Sequence, residues 1–184
     1  MCGKHLPEDL AAWIGVGGRA LAGMSHGAAG SVLALLKLYQ ACGDEAFLAL
    51  AQRGLEFERS LFDPVEKGWP DLRGEKPVRD PVQWCHGAAG IGFARMAALD
   101  VLDDPAIRDE IETAIAAVLA TQDGGRDNLC CGHAGRFSML RYALELGCGP
   151  DDLEHRFNHR LSAWINRLDN PNTIGLMARD KVFQ

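Results

Sequence analysis

Three times the chain places two glycines, three residues apart, at the head of an apolar stretch: Gly27-Ala28-Ala29-Gly30, Gly87-Ala88-Ala89-Gly90 and Gly132-His133-Ala134-Gly135. Glycine at such a mouth permits a tight turn and lets backbones crowd together. Recurrence at about 45–60 residues is the spacing of stacked helical pairs. Glycine accounts for 21 of the 184 residues, above the usual ~7%, and these segments are where it gathers.

The rest of the pattern is helical and comes in two kinds. Ile107, Ile111, Ile115, Val118 and Leu119 form one apolar stripe, as do Leu153, Phe157, Leu161, Trp164, Ile165 and Leu168. Such helices bury one face and wet the other. Residues 28–39 and 88–102 are instead apolar on nearly every side, which requires cover on both flanks. The kinds alternate: two-sided over 28–41, 88–102 and 134–146, one-sided over 45–61, 105–121 and 151–168. Asp44, Asp104 ahead of Pro105, and Asp151 signal helix starts. The expected fold is therefore all-α, a two-layer ring of helical hairpins. A plain four-helix bundle competes, but it would not need two populations of helix.

The length favours one domain over residues 1–184. With 47% hydrophobic and 24% charged residues the chain is globular rather than disordered. A net charge of −6, spread along the sequence, argues against nucleic acid or an anionic membrane as partner. No apolar run nears the ~18 residues of a membrane span, and the first residues lack a secretory pattern. The expected location is the cytoplasm, where six cysteines point to metal binding or catalysis rather than disulfides.

Reactive side chains precede each glycine pair: Ser25-His26, Trp84-Cys85-His86 and Leu129-Cys130-Cys131. A ring would aim them at one central mouth. Cys85, Cys130 and Cys131 then offer three soft ligands, a set that suits zinc with one position open. The competing readings are inert core thiols or a strained vicinal disulfide. Cys42 and Cys148, each beside a glycine at a helix end, read as structural. His5, His155 and His159 lie in polar surroundings and read as surface.

With these segments in hand, the chain resembles the lanthionine synthetase C-like cyclases, most closely the cyclase domain of the bifunctional class II lanthipeptide synthetases. The resemblance covers about residues 7–177. It implies an α/α toroid with zinc at its centre and a Michael addition of peptide cysteine thiols to dehydroalanine or dehydrobutyrine, giving lanthionine or methyllanthionine. It implies Cys85, Cys130 and Cys131 as metal ligands, Cys131 standing where stand-alone cyclases carry histidine. Three thiolates on Zn²⁺ leave a net charge of −1, and a substrate thiolate makes it −2, which favours a reactive nucleophile. His26, in the family's His-Gly-x-x-Gly segment, is the implied acid/base. His86, where stand-alone cyclases have tyrosine, would orient substrate or stabilise the enolate. His133 and Arg136 are further candidates to touch substrate, Arg79 is a possible match to a family arginine, and Trp69-Pro70-Asp71-Leu72 would edge the cleft.

A complete ring of that family needs about twice the hairpins found here, and the repeat begun at Gly175-Leu176-Met177 ends in polar residues. The expectation is an incomplete toroid, a partial cyclase domain from a larger synthetase. Its partners would be a dehydrated precursor peptide and a dehydratase domain or the missing part of the toroid. The alternative is a non-catalytic zinc-binding interaction or glutathione-binding module.

Overall fold

The computed structural model describes residues 11–14, 18–75, 77, 81–121 and 125–169; Cys2, His5, Arg79 and the segment 175–181 lie outside the described residues. Six helices occur among them: α1 Ala28–Cys42, α2 Glu45–Ser60, α3 Ala88–Ala98, α4 Pro105–Ala120, α5 His133–Glu145 and α6 Leu153–Leu168. Extended pairing among the described residues is confined to isolated bridges such as Val82 with Gly87. The all-α expectation holds. None of these helices is long and apolar enough to cross a membrane.

Helix starts follow the local chemistry in two cases of three. The Asp44 side chain accepts the Ala46 N–H, and that of Asp104 accepts the Ile107 N–H, both at 2.9 Å, satisfying donors that a helix leaves open. Asp151 is not a cap: α6 begins after Asp152, whose side chain makes no capping bond. Helix α3 stops at Ala98, short of residue 102, because the chain tightens there, with Leu99 donating to Met96 and both Val101 and Leu102 to Ala98. That turn frees the backbone to enter the Asp104–Pro105 start, where a residue before proline resists the helical conformation.

Helices α1, α3 and α5 pack in succession, and α2, α4 and α6 each back onto the inner helix before them. This is an arc of three hairpins in two layers, consistent with part of an α/α toroid. Helix α3 meets the requirement for cover on both flanks; Ala89, Ile91 and Ala98 are fully buried. Helix α1 does not meet it within the described residues, since Ala34 and Leu38 are exposed on its far side.

The three glycine segments build the same loop. The N–H groups of Ala28, Ala88 and His133 each donate to the carbonyl seven residues back, on Leu21, Pro81 and Arg126, at 2.8, 3.0 and 2.9 Å. The second glycine of each pair lies on the carbonyl six residues back. A Cβ at Gly30, Gly90 or Gly135 would sit 2.1, 1.9 or 2.1 Å from the oxygen of Met24, Trp84 or Leu129, well inside the ~3.5–4.0 Å of ordinary contact. These glycines also receive the neighbouring repeat: such a Cβ at Gly90 would stand 2.9 Å from that of Met24, and at Gly135 2.9 Å from that of Trp84. Backbone bonds then join the loops, Ser25 N–H to the Cys85 carbonyl and Cys85 N–H to that of Cys130, each at 3.1 Å.

Charge threads the interior between layers. Arg95 of α3, fully buried, pairs with the equally buried Glu58 of α2 at 2.9 Å and with Glu110 of α4. Glu58 also accepts the Gly23 N–H at 2.8 Å. Burial pushes its carboxyl up, opposed by Arg95 and by the Gly23 and Ala29 N–H groups. Because α1 has no side-chain cap of its own, Glu58 supplies negative charge where that helix begins.

The close approach at the second glycine predicts a sharp contrast between two substitutions. Gly90→Ala should cost about 3 kcal/mol or more, as forced overpacking against backbone. Gly43→Ala, at φ 69° with nothing within 4 Å, should cost only the left-handed strain of about 1–2 kcal/mol. Urea denaturation of both variants measures the difference; equal losses would contradict the packing account.

Candidate metal centre

Loop register decides which side chains meet. Because the three loops share the same backbone bond and the same glycine contact, Ser25, Cys85 and Cys130 occupy one position and His26, His86 and Cys131 the next. The second and third loops thus supply sulfur, while the first supplies a hydroxyl and an imidazole. The Cys131 Sγ lies 3.4 Å from that of Cys85 and 3.3 Å from that of Cys130, and all three sulfurs fall within 4.8 Å of one another. They are free thiols, too far apart for a bond of ~2.05 Å. Cys85 is buried, Cys131 half-buried and Cys130 exposed, so the cluster opens to solvent on one side.

The donor set suits a metal. Tetrahedral Zn–S bonds of ~2.3 Å place sulfurs ~3.8 Å apart, so the two edges that meet at Cys131 need to open by only about half an ångström. Without an ion the three thiols do not ionise alike: burial, then the two neighbouring sulfurs, push Cys85 up to about 12. Cys130 is also raised, first by burial. Cys131 moves down: burial opposes its ionisation, but the neighbouring sulfurs and Arg126 outweigh burial. The Cys131 N–H donates to the Asn128 side chain at 2.8 Å, which bends the Cys130–Cys131 turn inward. Asp127, buried and bonded to the Trp164 indole at 2.6 Å and to Arg167, ties this loop to α6.

Histidines divide by environment. His26 is exposed, its ring 6.0 Å from the ring of His86, beside an open groove of about 640 Å³ lined by Met24, Ser25, Gly30 and Trp84. His86 is 1% exposed, and its Nδ1–H donates to the Ala22 carbonyl at 3.3 Å. That leaves Nε2 as the bare nitrogen, and it is buried without a partner. Burial, then the charge of Arg73, hold this ring below the ordinary histidine range, so it is neutral near pH 7. His133 points elsewhere: it is buried against Phe137 and Trp164, with ring separations of 6.0 and 6.1 Å. His155 and His159 are exposed on α6, as expected.

The segment Trp69-Pro70-Asp71-Leu72, expected to edge the cleft, leads into a residue that no motif marks, Arg73. Trp69 is buried among Ala22, Ala29, Ile91 and Ala94, wedged between α1 and α3, and it anchors the loop that follows. Asp71 accepts the Arg73 backbone N–H at 3.0 Å and holds its guanidinium through Nε at 3.0 Å and Nη2 at 2.6 Å. The guanidinium acts electrostatically on Cys85, Cys130, Cys131 and His86. The sequence places these residues 12 or more positions away, with nothing to join them.

A two-layer helical arc with three thiols clustered at the mouths of its inner helices defines a class of all-α proteins with a cysteine site able to hold a metal ion. The family model described as "Lanthionine synthetase C-like protein" matches residues 8–180, and the chain belongs to that family. No curated protein matches it.

The Asp71–Arg73 clamp gives a pH test. Burial raises the Asp71 carboxyl, but the Arg73 hydrogen bonds outweigh burial and hold it below the usual aspartate value. Its folded pKa is therefore under the ~3.9 of an unfolded chain. The stabilisation is complete above that value and is lost as pH falls through the folded pKa. Carbon-detected NMR should find Asp71 titrating below 3.9, and Arg73→Met should move it upward; an unperturbed wild-type titration contradicts the clamp.

Proposed function

We propose that this chain is a zinc-dependent lanthionine and methyllanthionine cyclase domain of the class II type, and that it works as part of a larger synthetase. The observation that carries the reading is the set of three sulfurs within 4.8 Å at the inner helix mouths. Among the described residues no fourth donor lies within the same reach, so a tetrahedral ion keeps a place for a guest thiol. Cys131 in place of histidine and His86 in place of tyrosine support the class II assignment. Free thiols as ligands agree with a reducing compartment, the cytoplasm.

Cys85, Cys130 and Cys131 would hold the ion. When bound, zinc supplies the deprotonation and fixed position of a peptide cysteine thiol. His26, exposed beside the groove, delivers a proton to the α-carbon of the dehydro residue after sulfur has added to its β-carbon. Neutral His86 lies behind His26 and backs its ring, its own tautomer fixed by the Ala22 carbonyl. The groove along α1 receives the dehydrated precursor peptide. A dehydratase domain that makes dehydroalanine and dehydrobutyrine is the expected partner, since the substrate is that enzyme's product.

Two variants separate metal binding from proton delivery. Cys130→Ala should drop zinc well below one per chain and abolish thioether formation. His26→Asn should keep its zinc and lose about 10²–10⁴-fold in cyclisation rate. Zinc affinity should rise with pH, because the thiols must lose protons to bind. The measurements are metal analysis and mass spectrometry of a dehydrated peptide after thiol alkylation. Full zinc occupancy with no turnover of any dehydrated peptide would leave a zinc-binding interaction module.

A further inference from the structure

The loop after Trp69 is built with more care than a connection between hairpins requires. Trp69 is 1% exposed and meets Phe62 edge-on at 5.0 Å, fixing the loop's root against α1 and α3, two of the three inner helices whose mouths form the site. Arg19 grips the loop from the other side, donating to the carbonyls of Leu72 at 3.1 Å and Gly74 at 2.8 Å, on either side of Arg73. Asp71, itself 9% exposed, takes Nε and Nη2 of Arg73. The Nη1 edge makes no hydrogen bond among the described residues, and the side chain is 47% exposed. A guanidinium held at its root, backbone and inner edge, its outer edge uncommitted and within electrostatic reach of the three sulfurs, is a preorganised donor.

We propose that Arg73 is a substrate-binding residue of the cyclase site, its free Nη1 edge holding the carbonyl oxygen of the dehydro residue that the thiolate attacks. This assignment rests on the cyclase reading and adds to it the group that meets the developing charge. As the sulfur–carbon bond forms at the β-carbon, the carbon–carbon π pair shifts and leaves negative charge on the carbonyl oxygen. His26 then gives its proton to the α-carbon and the carbonyl re-forms. The proton lost by the entering thiol restores the histidine, so the net reaction is addition of S–H across the double bond. A charge-carrying donor placed in advance is worth most at that oxygen, because it needs no reorganisation during the step. Arginine suits it better than lysine here, since one edge of its fork can stay on Asp71 while the other meets the substrate.

The experiment compares wild-type, Arg73→Met and Arg73→Lys chains, each loaded with zinc. Zinc content is measured first, then affinity for a dehydrated peptide whose cysteines are replaced by serine, by fluorescence anisotropy, then cyclisation of the cysteine-containing peptide. Arg73→Met should keep its zinc, bind the serine peptide about tenfold more weakly and lose about 10²–10³-fold in kcat. Arg73→Lys should recover part of kcat but not the binding. Unchanged binding and kcat in Arg73→Met overturn the assignment, and so does loss of zinc, which would make Arg73 a support for the metal loop. A wild-type chain that binds the serine peptide through Arg73 yet never closes a ring defeats the cyclase reading and leaves Arg73 as a carbonyl-binding residue. A wild-type chain that does not bind the peptide defeats both.

Discussion

The contact between each second glycine and the carbonyl six residues before it sets the whole arrangement. At Gly30, Gly90 and Gly135 a side chain would collide with backbone at about 2 Å, so the preceding loop can fold flat against its own helix only because no Cβ is there. That flat loop presents its two prefix residues at a fixed height, and the backbone bonds from Ser25 to Cys85 and from Cys85 to Cys130 set the heights of successive loops against one another. The sulfurs meet because the loops repeat and because these bonds join one repeat to the next.

Charge then governs what the meeting point can do. Three thiols in partial burial resist ionising together, as the upward displacement of Cys85 to about 12 records, and a dication is the natural remedy. The protein adds cationic groups from outside the ligand set, Arg73 from the loop after Trp69 and Arg126 from the loop of Cys130. A thiolate-rich centre that would carry excess negative charge with a guest thiol bound thus lies in a positive surround. Behind it, Glu58 and Arg95 use full burial to tie the outer layer to the Gly23–Gly27 turn that presents His26. Breaking such a buried pair on one side leaves an uncompensated charge, typically at a cost of about 3–5 kcal/mol, which makes the turn's position hard to relax.

Much of the fold was legible because its causes are local. Asp44 and Asp104 act on N–H groups two and three residues away, and the two kinds of helix follow from which faces are apolar. Asp151 misled because a helix start one residue later looks the same in sequence. The cysteine cluster was legible for a different reason: repetition converts sequence register into spatial register, so Cys85 and Cys130 could be matched from the sequence alone. His133 shows the limit of that reasoning. It sits two positions past the cysteine pair, yet the first turn of α5 rotates it toward Phe137 and Trp164.

By itself, then, the amino-acid order determined the helices, their two layers, the thrice-used loop and the three sulfurs that share its height. Periodicity and close-range sterics act along the chain, and a reader of the chain can follow them. Tertiary structure alone decided that Asp71 holds Arg73 within electrostatic reach of the thiols, that His86 is buried while its neighbour in register, His26, stays in solvent, and that Glu58 braces a turn 35 residues before it. Those relations depend on where non-repeating loops land once the hairpins have packed, and no spacing in the sequence encodes a distance through space.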